Sequence, residues 1–411
     1  MGDRPAGARA MCVWLGTLAS YRPGFINDLV LRYRTTAQVL VQPPGDIAEF
    51  ARRRSRRRRT EADGATGRDA SGAASDAARF AAVLAEGPEA CLGRAERRPP
   101  GDLVVAWSES LYPDQLRDLG DPPLCLFARG GKDRDTVRAR VSAVVDAPLV
   151  AVVGTRTPSP YGLDMARCLA DGLTRAGVIV VSGLALGIDA AAQKAAVDAE
   201  VALSPATVAV LGCGADVVYP RTNAKLYARV AGSGLVLSEF AWGVPARAWR
   251  FPARNRVMAA LARAVVLVEG AQRSGARITA GYGVDIGREV LCVPGEAGRR
   301  LSQAPNRLLG HGAGVCESAA DVLRAIGVGG DRSSGDGAGG PAAPLPVYVL
   351  DHGGAAIRDV LAALSDASFT IDQLAVRCSL TVAKAASAVS DLEIEGLARR
   401  VEGGRYRLLR Q

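Results

Sequence analysis

The chain has 411 residues, 48% hydrophobic and 23% charged, with 51 Lys+Arg against 42 Asp+Glu for a net charge of +9. That length suits two or three domains with a sizeable core, and the basic excess favours a polyanionic partner. Eight scattered Cys with no Cys-x-x-Cys pair argue against a disulfide framework or a zinc site, and no apolar stretch reaches transmembrane length. A cytoplasmic protein with no metal, no cofactor and no membrane partner is expected.

Short helices are predicted at Cys12–Leu18, Phe25–Tyr33 and Thr36–Leu40, with a break at Arg22-Pro23-Gly24. They make residues 1–51 a small helical domain of the SAM or helix-hairpin-helix kind, which either packs only or touches DNA backbones through its turn. Residues 52–100 read as a linker with one short helix at Ala77–Leu84, because seven Arg between Arg52 and Arg59 give way to Gly, Ala, Ser and Asp. The arginine run is either a solvated tract or a source of non-specific phosphate affinity. Between Tyr112-Pro113 and Gly130, a Pro-defined turn feeds a short strand expected at one edge of a large sheet.

The core domain, 101–327, repeats one unit. Apolar runs at Leu149–Val153, Val178–Val181, Thr207–Leu211, Leu235–Leu237, Ala264–Val268 and Val290–Val293 each lead into a loop, and helical patterns lie between them. Near-continuous apolar strands alternating with helices define an α/β chain with a doubly wound, mostly parallel sheet buried on both faces. All its loops at the strands' carboxyl ends then converge on one edge, where such sheets bind ligands. Residues 328–346 are Gly-, Ser-, Ala- and Pro-rich and read as a flexible linker. In 347–411, helices at Ile357–Leu364, Ile371–Arg377 and Val382–Glu395 precede a hairpin around Glu402-Gly403-Gly404, the layout of a winged helix. Eight basic and eight acidic residues balance in 346–411, and the third helix sets Lys384 against Asp391, Glu393 and Glu395. Phosphate binding wants the opposite charge, so this module reads as a protein-interaction or accessory domain.

The composite edge lacks a dinucleotide loop. Gly154-Thr155-Arg156-Thr157-Pro158-Ser159 has Arg where Gly-x-Gly-x-x-Gly needs its second Gly, and no Walker loop, nucleophile elbow or catalytic triad is present. The residues that are present suit a phosphate chain. Arg156 stands beside Thr155 and Ser159 as donors; Ser182-Gly183 and Gly187 open onto a helix start; Asp189 there suits an N-cap. Tyr219, Arg221 and Asn223 add an aromatic face, a cation and an amide. Arg247, Arg250, Arg254, Arg256 and Arg263 follow with no acid among them, interleaved with Trp242, Trp249 and Phe251. Guanidinium groups plus stacking faces suit single-stranded nucleic acid. The competing reading puts Phe251 and Trp242 in the core and pairs some of these Arg with Glu239 and Glu269.

At these residues the sequence resembles the DprA/Smf (DNA processing protein A) family. Val153-Gly154-Thr155-Arg156 with Tyr161-Gly162, Ser182-Gly183-Leu184-Ala185 with Gly187-Ile188-Asp189, Tyr219-Pro220, Ser238-Glu239-Phe240, Phe251-Pro252 with Arg254-Asn255-Arg256, Ser274-Gly275, Val293-Pro294-Gly295 and Asn306-Arg307-Leu308 occur in family order. The resemblance implies an extended Rossmann-like fold, usually dimeric, and a non-catalytic protein that binds single-stranded DNA and loads RecA recombinase onto it during natural transformation. It assigns phosphate binding to Arg156 and Arg221 and matches Arg254, Asn255 and Arg256 to the Arg-Asn-Arg motif, with Ser274, Gly275 and Arg277 on the same DNA-binding edge. Departures fall at Leu186, where the family often has Arg, at Gln193 for its usual His, at Arg277 for an apolar residue and at Ala304 for Gly. Two other readings stay open: a nucleotide-cleaving enzyme of the lysine-decarboxylase-like phosphoribohydrolase type, using Glu239 and Glu269, and a sensor of one small nucleotide. The phosphoribohydrolases' Pro-Gly-Gly-x-Gly-Thr-x-x-Glu loop is missing here.

Overall fold

The computed structural model describes residues 6–62, 70–117, 119–199, 201, 204–328, 360, 369–378, 380–394, 398–401 and 405–408. The chain divides into two compact units, Met1–Asp331 and Arg332–Gln411. The first opens with helices α1 (Ala6–Ala19), α2 (Phe25–Tyr33), α3 (Thr36–Leu40), α4 (Pro44–Ala62), α5 (Ala70–Glu86) and α6 (Pro88–Glu96). Strands β1 (Asp102–Ala106) and β2 (Cys125–Arg129) and helix α7 (Arg134–Asp146) follow. Strand and helix then alternate through β3 (Leu149–Val153), α8 (Pro160–Arg175), β4 (Ile179–Ser182), α9 (Ile188–Asp198), β5 (Thr207–Val210), α10 (Ala224–Ser233), β6 (Leu235–Ser238) and α11 (Arg250–Leu261). The series ends with β7 (Ala264–Leu267), α12 (Gly275–Asp285), β8 (Glu289–Cys292), α13 (Gln303–Leu309), β9 (Gly314–Val315) and α14 (Ala319–Ala325).

These strands form one sheet in the order β1-β2-β6-β5-β4-β3-β7-β8-β9. The β1–β2 and β2–β6 ladders are antiparallel and the rest are parallel. From β3 the chain winds outward through β4, β5 and β6, then returns to β3's other side with β7. The switch point of this extended Rossmann sheet therefore lies between β3 and β7. Alternate residues of β3 enter different cores: Leu149, Ala151 and Val153 pack on one face, Val150 and Val152 on the other. Burial on both faces is why the strand reads as an unbroken apolar run.

Helices α8, α9 and α14 cover one face around β3, β4 and β7. The same face at β1, β2, β5 and β6 is covered by the N-terminal helices, whose Trp14, Phe25, Ile47 and Phe80 share a core with Phe127, Ala209 and Val236. A Cβ on Gly16 of α1 would fall 2.5 Å from the Cys125 sulfur, so helix and strand meet almost backbone to side chain. These helices thus cover the sheet rather than forming a bundle of their own.

Two expectations are corrected. The strand after Tyr112-Pro113 is not at the edge, because β1, a five-residue run directly after Pro99-Pro100-Gly101, pairs outside β2. Helix α7 is also additional. Residues 52–100 are helical over α4, α5 and α6 rather than a linker with one short helix. Buried Ile47, Ala48 and Ala51 anchor the first half of α4, and arginine is a good helix former once a helix is nucleated.

The second unit contains α15 (Ile371–Arg377), α16 (Val382–Ile394) and an antiparallel pair, β10 (Ala398–Val401) with β11 (Arg405–Leu408). Val360, Leu374, Ala388, Val389, Leu392 and Tyr406 form its core. Thr370 and Gln373 close a capping box on α15, and Phe369 exchanges backbone hydrogen bonds with Tyr406 at 3.1 and 2.7 Å. The helix expected at Ile357–Leu364 lies outside the described residues apart from Val360, as do the hairpin turn and nearly all of the expected linker. No helix among the described residues is long and apolar enough to cross a membrane.

Candidate nucleic-acid interface

The site forms where the β3, β4 and β7 loops meet. The Thr155 amide donates to the Glu269 carbonyl at 2.8 Å, and the Ile188 amide donates to the Thr155 carbonyl at 3.2 Å, so the three loops are bonded into one floor. Gly187 starts α9 with φ 81°, and a Cβ there would collide with the same Thr155 carbonyl. Glu269 is buried, and its carboxylate accepts from the Ser159 amide at 2.9 Å and the Ser159 hydroxyl at 2.5 Å. Ser159 also caps α8, accepting from the Gly162 amide at 3.1 Å.

Arg254 on α11 reaches under the β4 loop. It is 4% exposed and donates to the carbonyls of Gly183 (3.0 Å) and Val210, and to the Asn255 side-chain oxygen (3.2 Å). The Gly183 amide in turn donates to the Asp189 carboxylate at 3.1 Å. Asp189 and Arg254 therefore hold the two polar groups of one glycine, and Asp189 is not the N-cap expected for α9. Burial pushes the Asp189 carboxyl up, with the Arg254 charge and the Gly183 amide acting against it. Gln193 is fully buried and accepts from the Leu184 amide at 2.9 Å while donating to the Val208 carbonyl at 3.2 Å. This departure from the family pattern is a strut between β5 and the loop, and it has no open surface.

Above this floor is a cavity of about 600 Å³, lined by Gly154, Thr155, Arg156, Thr157, Asp189, Tyr219, Arg247, Phe251, Arg254, Asn255, Met258, Ser274, Gly275 and Thr279, among others. The exposed Arg156 guanidinium lies 5.5 Å from the Phe251 ring centre, and no ion pair engages it among the described residues. Phe251 in turn packs against Tyr219, centroids 5.3 Å apart at 33°, and Tyr219 is 42% exposed. On the opposite side Ser274 caps α12, so the first residues of an 11-residue helix, Gly275 and Ala276, face the cavity with a favourable dipole for an anion.

The expected residues separate into three groups. Gly154, Thr155, Arg156, Arg254, Asn255, Ser274 and Gly275 meet in this cavity, and Gly183 lines a smaller one beside it with Arg156, Leu186 and Tyr219. Ser159, Ser182, Gly187 and Asn223 hold loops: Ser182 donates to the Val152 carbonyl at 2.7 Å and Asn223 to the Leu184 carbonyl at 3.0 Å. Arg221 is exposed on a short turn, and Arg277 is exposed with a 3.3 Å bond to the Gln272 carbonyl; neither lines the cavity.

The interleaved Arg and aromatic residues do not act as one surface. Arg256 makes two bonds to Glu239, at 2.7 and 2.8 Å, beside a different cavity. Arg250 is fully buried, donating to the Ser20 carbonyl at 2.8 Å and Asp76 at 2.9 Å. Trp242 packs edge-on to Phe127 and bonds the Ala95 carbonyl, and Trp249 packs edge-on to Phe240. Both acids of the enzyme reading, Glu239 and Glu269, are thus occupied by Arg256 and Ser159. Thr157, Met258 and Thr279 join the cavity without a sequence signal, because nothing in local spacing marks them as facing it.

The fold and site together define an extended Rossmann protein whose switch-point edge presents a cation, aromatic faces and a helix start in place of a dinucleotide loop. The sequence model for DNA recombination-mediator protein A matches residues 103–327, and that for the DprA winged helix domain matches 351–404. The putative DNA processing protein DprA of Mycobacterium tuberculosis is 39% identical over 297 residues, 72% of this chain and 71% of its own. Protein Smf of Escherichia coli is 34% identical over 317 residues, 76% of this chain and 79% of its own. The crystal structure of DNA processing protein A from Streptococcus pneumoniae superposes with a TM-score of 0.58 at 29% identity, covering 78% of this chain and 98% of that one. The chain belongs to the DprA/Smf family.

Proposed function

We propose that the protein binds single-stranded DNA along the carboxyl edge of its sheet and hands it to RecA recombinase, as a cytoplasmic homodimer that catalyses no reaction itself. The observation that carries this reading is the Arg156–Phe251–Tyr219 column at the cavity mouth. It sets an unpaired guanidinium for a phosphate beside a ring that can take a base, and every base has a face to stack. Two acids of the floor are held by structural bonds: Glu269 by Ser159, and Asp189 by the Gly183 amide. Membership of a recombination-mediator family supports the hand-over to a recombinase. The phosphoribohydrolase and nucleotide-sensor readings are less favoured, since the first loses both of its candidate acids to structural bonds.

The test is a titration of labelled single-stranded and duplex oligonucleotides across salt concentrations, with the Arg156→Ala, Arg221→Ala double variant alongside. The reading expects tight, salt-sensitive and sequence-tolerant binding to single strands, weak binding to duplex, and loss of single-strand affinity in the variant. Unchanged affinity in the variant at physiological salt would remove the site. Stimulation of RecA filament formation on the same strands, measured by its DNA-dependent ATP hydrolysis, tests the hand-over.

A further inference from the structure

The β4 loop holds a backbone conformation that its residue type disfavours. Among the described residues, Arg34 and Leu184 are the non-glycine positions with left-handed φ, at 76° and 54°. Arg34 is exposed at the end of α2, whereas Leu184 is fully buried. A leucine at such φ persists only where its surroundings hold it there, and positions of this kind cluster at ligand clamps.

Leu184 is held from both sides. Its amide donates to the Gln193 side-chain oxygen at 2.9 Å, and Gln193 is tied in turn to the Val208 carbonyl of β5. Its carbonyl accepts from the Asn223 side-chain amide at 3.0 Å, and the Ala185 carbonyl accepts from the same nitrogen at 3.3 Å. Asn223 belongs to the loop that follows β5, where its own backbone amide donates to the Pro220 carbonyl at 3.0 Å. It stands at the N-cap position of α10, a place where Asn is a preferred cap, yet its side chain makes no cap bond to that helix. The side chain instead ties the β4 loop to the β5 loop. Ala185 and Leu186 from one loop, and Tyr219 and Pro220 from the other, line the smaller cavity together with Arg156 and Phe251. A Cβ on Gly187 would lie 2.8 Å from the Arg156 carbonyl carbon, so the far end of the β4 loop also backs onto the main chain that carries the Arg156 guanidinium.

We propose that Asn223 is a positioning residue for the bound strand: its bonds to Leu184 and Ala185 fix the gap between Leu186 and Tyr219 before the strand arrives. This role rests on the single-strand reading above, and it acts through the loop rather than by contact with DNA. Without the tie, the β4 loop would have to be ordered on binding. The entropy lost in that step weakens affinity while every phosphate contact is kept.

The test compares the full chain with its Asn223→Ala variant, which removes both bonds, adds no charge and loses no helix cap. The probe is a labelled oligothymidylate of about 20 nucleotides, longer than the ~4–16 that one groove typically holds, followed by fluorescence anisotropy over a salt series. Affinity should fall roughly three- to tenfold, the equivalent of one net hydrogen bond. The slope of log affinity against log salt should stay the same, because it counts phosphates. In the free variant, hydrogen exchange should quicken at Leu184 and Ile188, whose amides are bonded to Gln193 and Thr155, and keep its pace within β4 and β5. Unchanged affinity overturns the proposal. A loss of affinity with unchanged exchange also overturns it, since the amide would then touch DNA directly. Exchange quickened throughout the sheet does the same, by making Asn223 a general stabiliser. Arg156→Ala, measured alongside, keeps the cleft and the tie apart. If it leaves affinity intact while Asn223→Ala lowers affinity as described, the cleft's cation is unused and the positioning role stands; in the reverse case the cleft stands and the positioning role falls.

Discussion

The guanidinium of Arg254 occupies the space that a side chain at Gly183 would need: a Cβ there would overlap both terminal nitrogens and the central carbon. The contact joins α11 to the β4 loop across 71 residues of sequence. It makes the Gly183 position and the Arg-Asn-Arg motif one device, in which a buried cation holds the cleft floor.

Gly183→Ala should therefore act through Arg254. Overpacking in a closed site costs about 1–3 kcal/mol, so the urea midpoint should fall with the m-value unchanged, and single-strand affinity should fall with it. Arg254→Lys should not rescue the arrangement, because one ammonium on a flexible stem does not reproduce the fork that reaches Gly183, Val210 and Asn255. Wild-type stability in Gly183→Ala would contradict this account.

Arg156 and Phe251 line the open cavity instead. Arg156→Ala should leave the unfolding midpoint where it is, because the side chain is exposed and has no acidic partner among the described residues. It should lower single-strand affinity and reduce the salt slope by about 0.7, one phosphate's share. Phe251→Leu should remove a stacking face worth about 1–3 kcal/mol per base while leaving the salt slope unchanged. Fluorescence anisotropy over a salt series separates the two effects.

Arg256 should behave unlike Arg156 although both are arginines of family motifs. Its side chain and that of Glu239 are each 13% exposed and doubly bonded. Removing one partner of such a pair leaves the other charge largely buried, at a cost of about 3–5 kcal/mol. Arg256→Ala and Glu239→Gln should both lower the thermal midpoint by several degrees, and DNA affinity of the remaining folded fraction should be little changed. A selective loss of DNA binding at full stability would place Arg256 back in the interface.

The cysteines offer a check on the core. Burial pushes the thiols of Cys213, Cys292 and Cys316 up to about 12, whereas Cys168 is exposed. A pKa four units above the medium leaves roughly one thiolate in ten thousand, and the thiolate is the reactive form. At pH 8 a thiol reagent should modify Cys168 in the native protein and reach the other three only once denaturant opens the sheet, as peptide mapping by mass spectrometry would show.

Much of the parallel sheet could be read from residues alone. Val150 and Val152 face one layer, Leu149 and Ala151 the other, and both layers are apolar, so the run is visible locally without knowing its neighbours. The same holds for Arg156, whose position directly after such a strand puts it at the carboxyl edge. Strand β1 follows a turn signal, Pro99-Pro100-Gly101, but its place outside β2 was not legible, because the order of strands is decided by pairing between distant segments.

What the sequence by itself determined is the class of fold, the edge where the loops converge and the family that the motifs spell out, since each is written in spacings of a few residues. Which arginines line the open cavity and which are tied up by other residues was decided only by tertiary structure. Arg250 is claimed by Ser20 and Asp76, 230 and 174 residues away; Ser159 by Glu269, 110 residues away; Arg256 by Glu239. Burying a charge or a hydroxyl requires a partner, and those partners are brought close by the winding of the sheet, which no local pattern records. The arginine run shows the same division: its charge was plain from the sequence, but that it extends from a helix anchored at Ile47 and Ala51 depended on the N-terminal helices finding the exposed face of β2, β5 and β6.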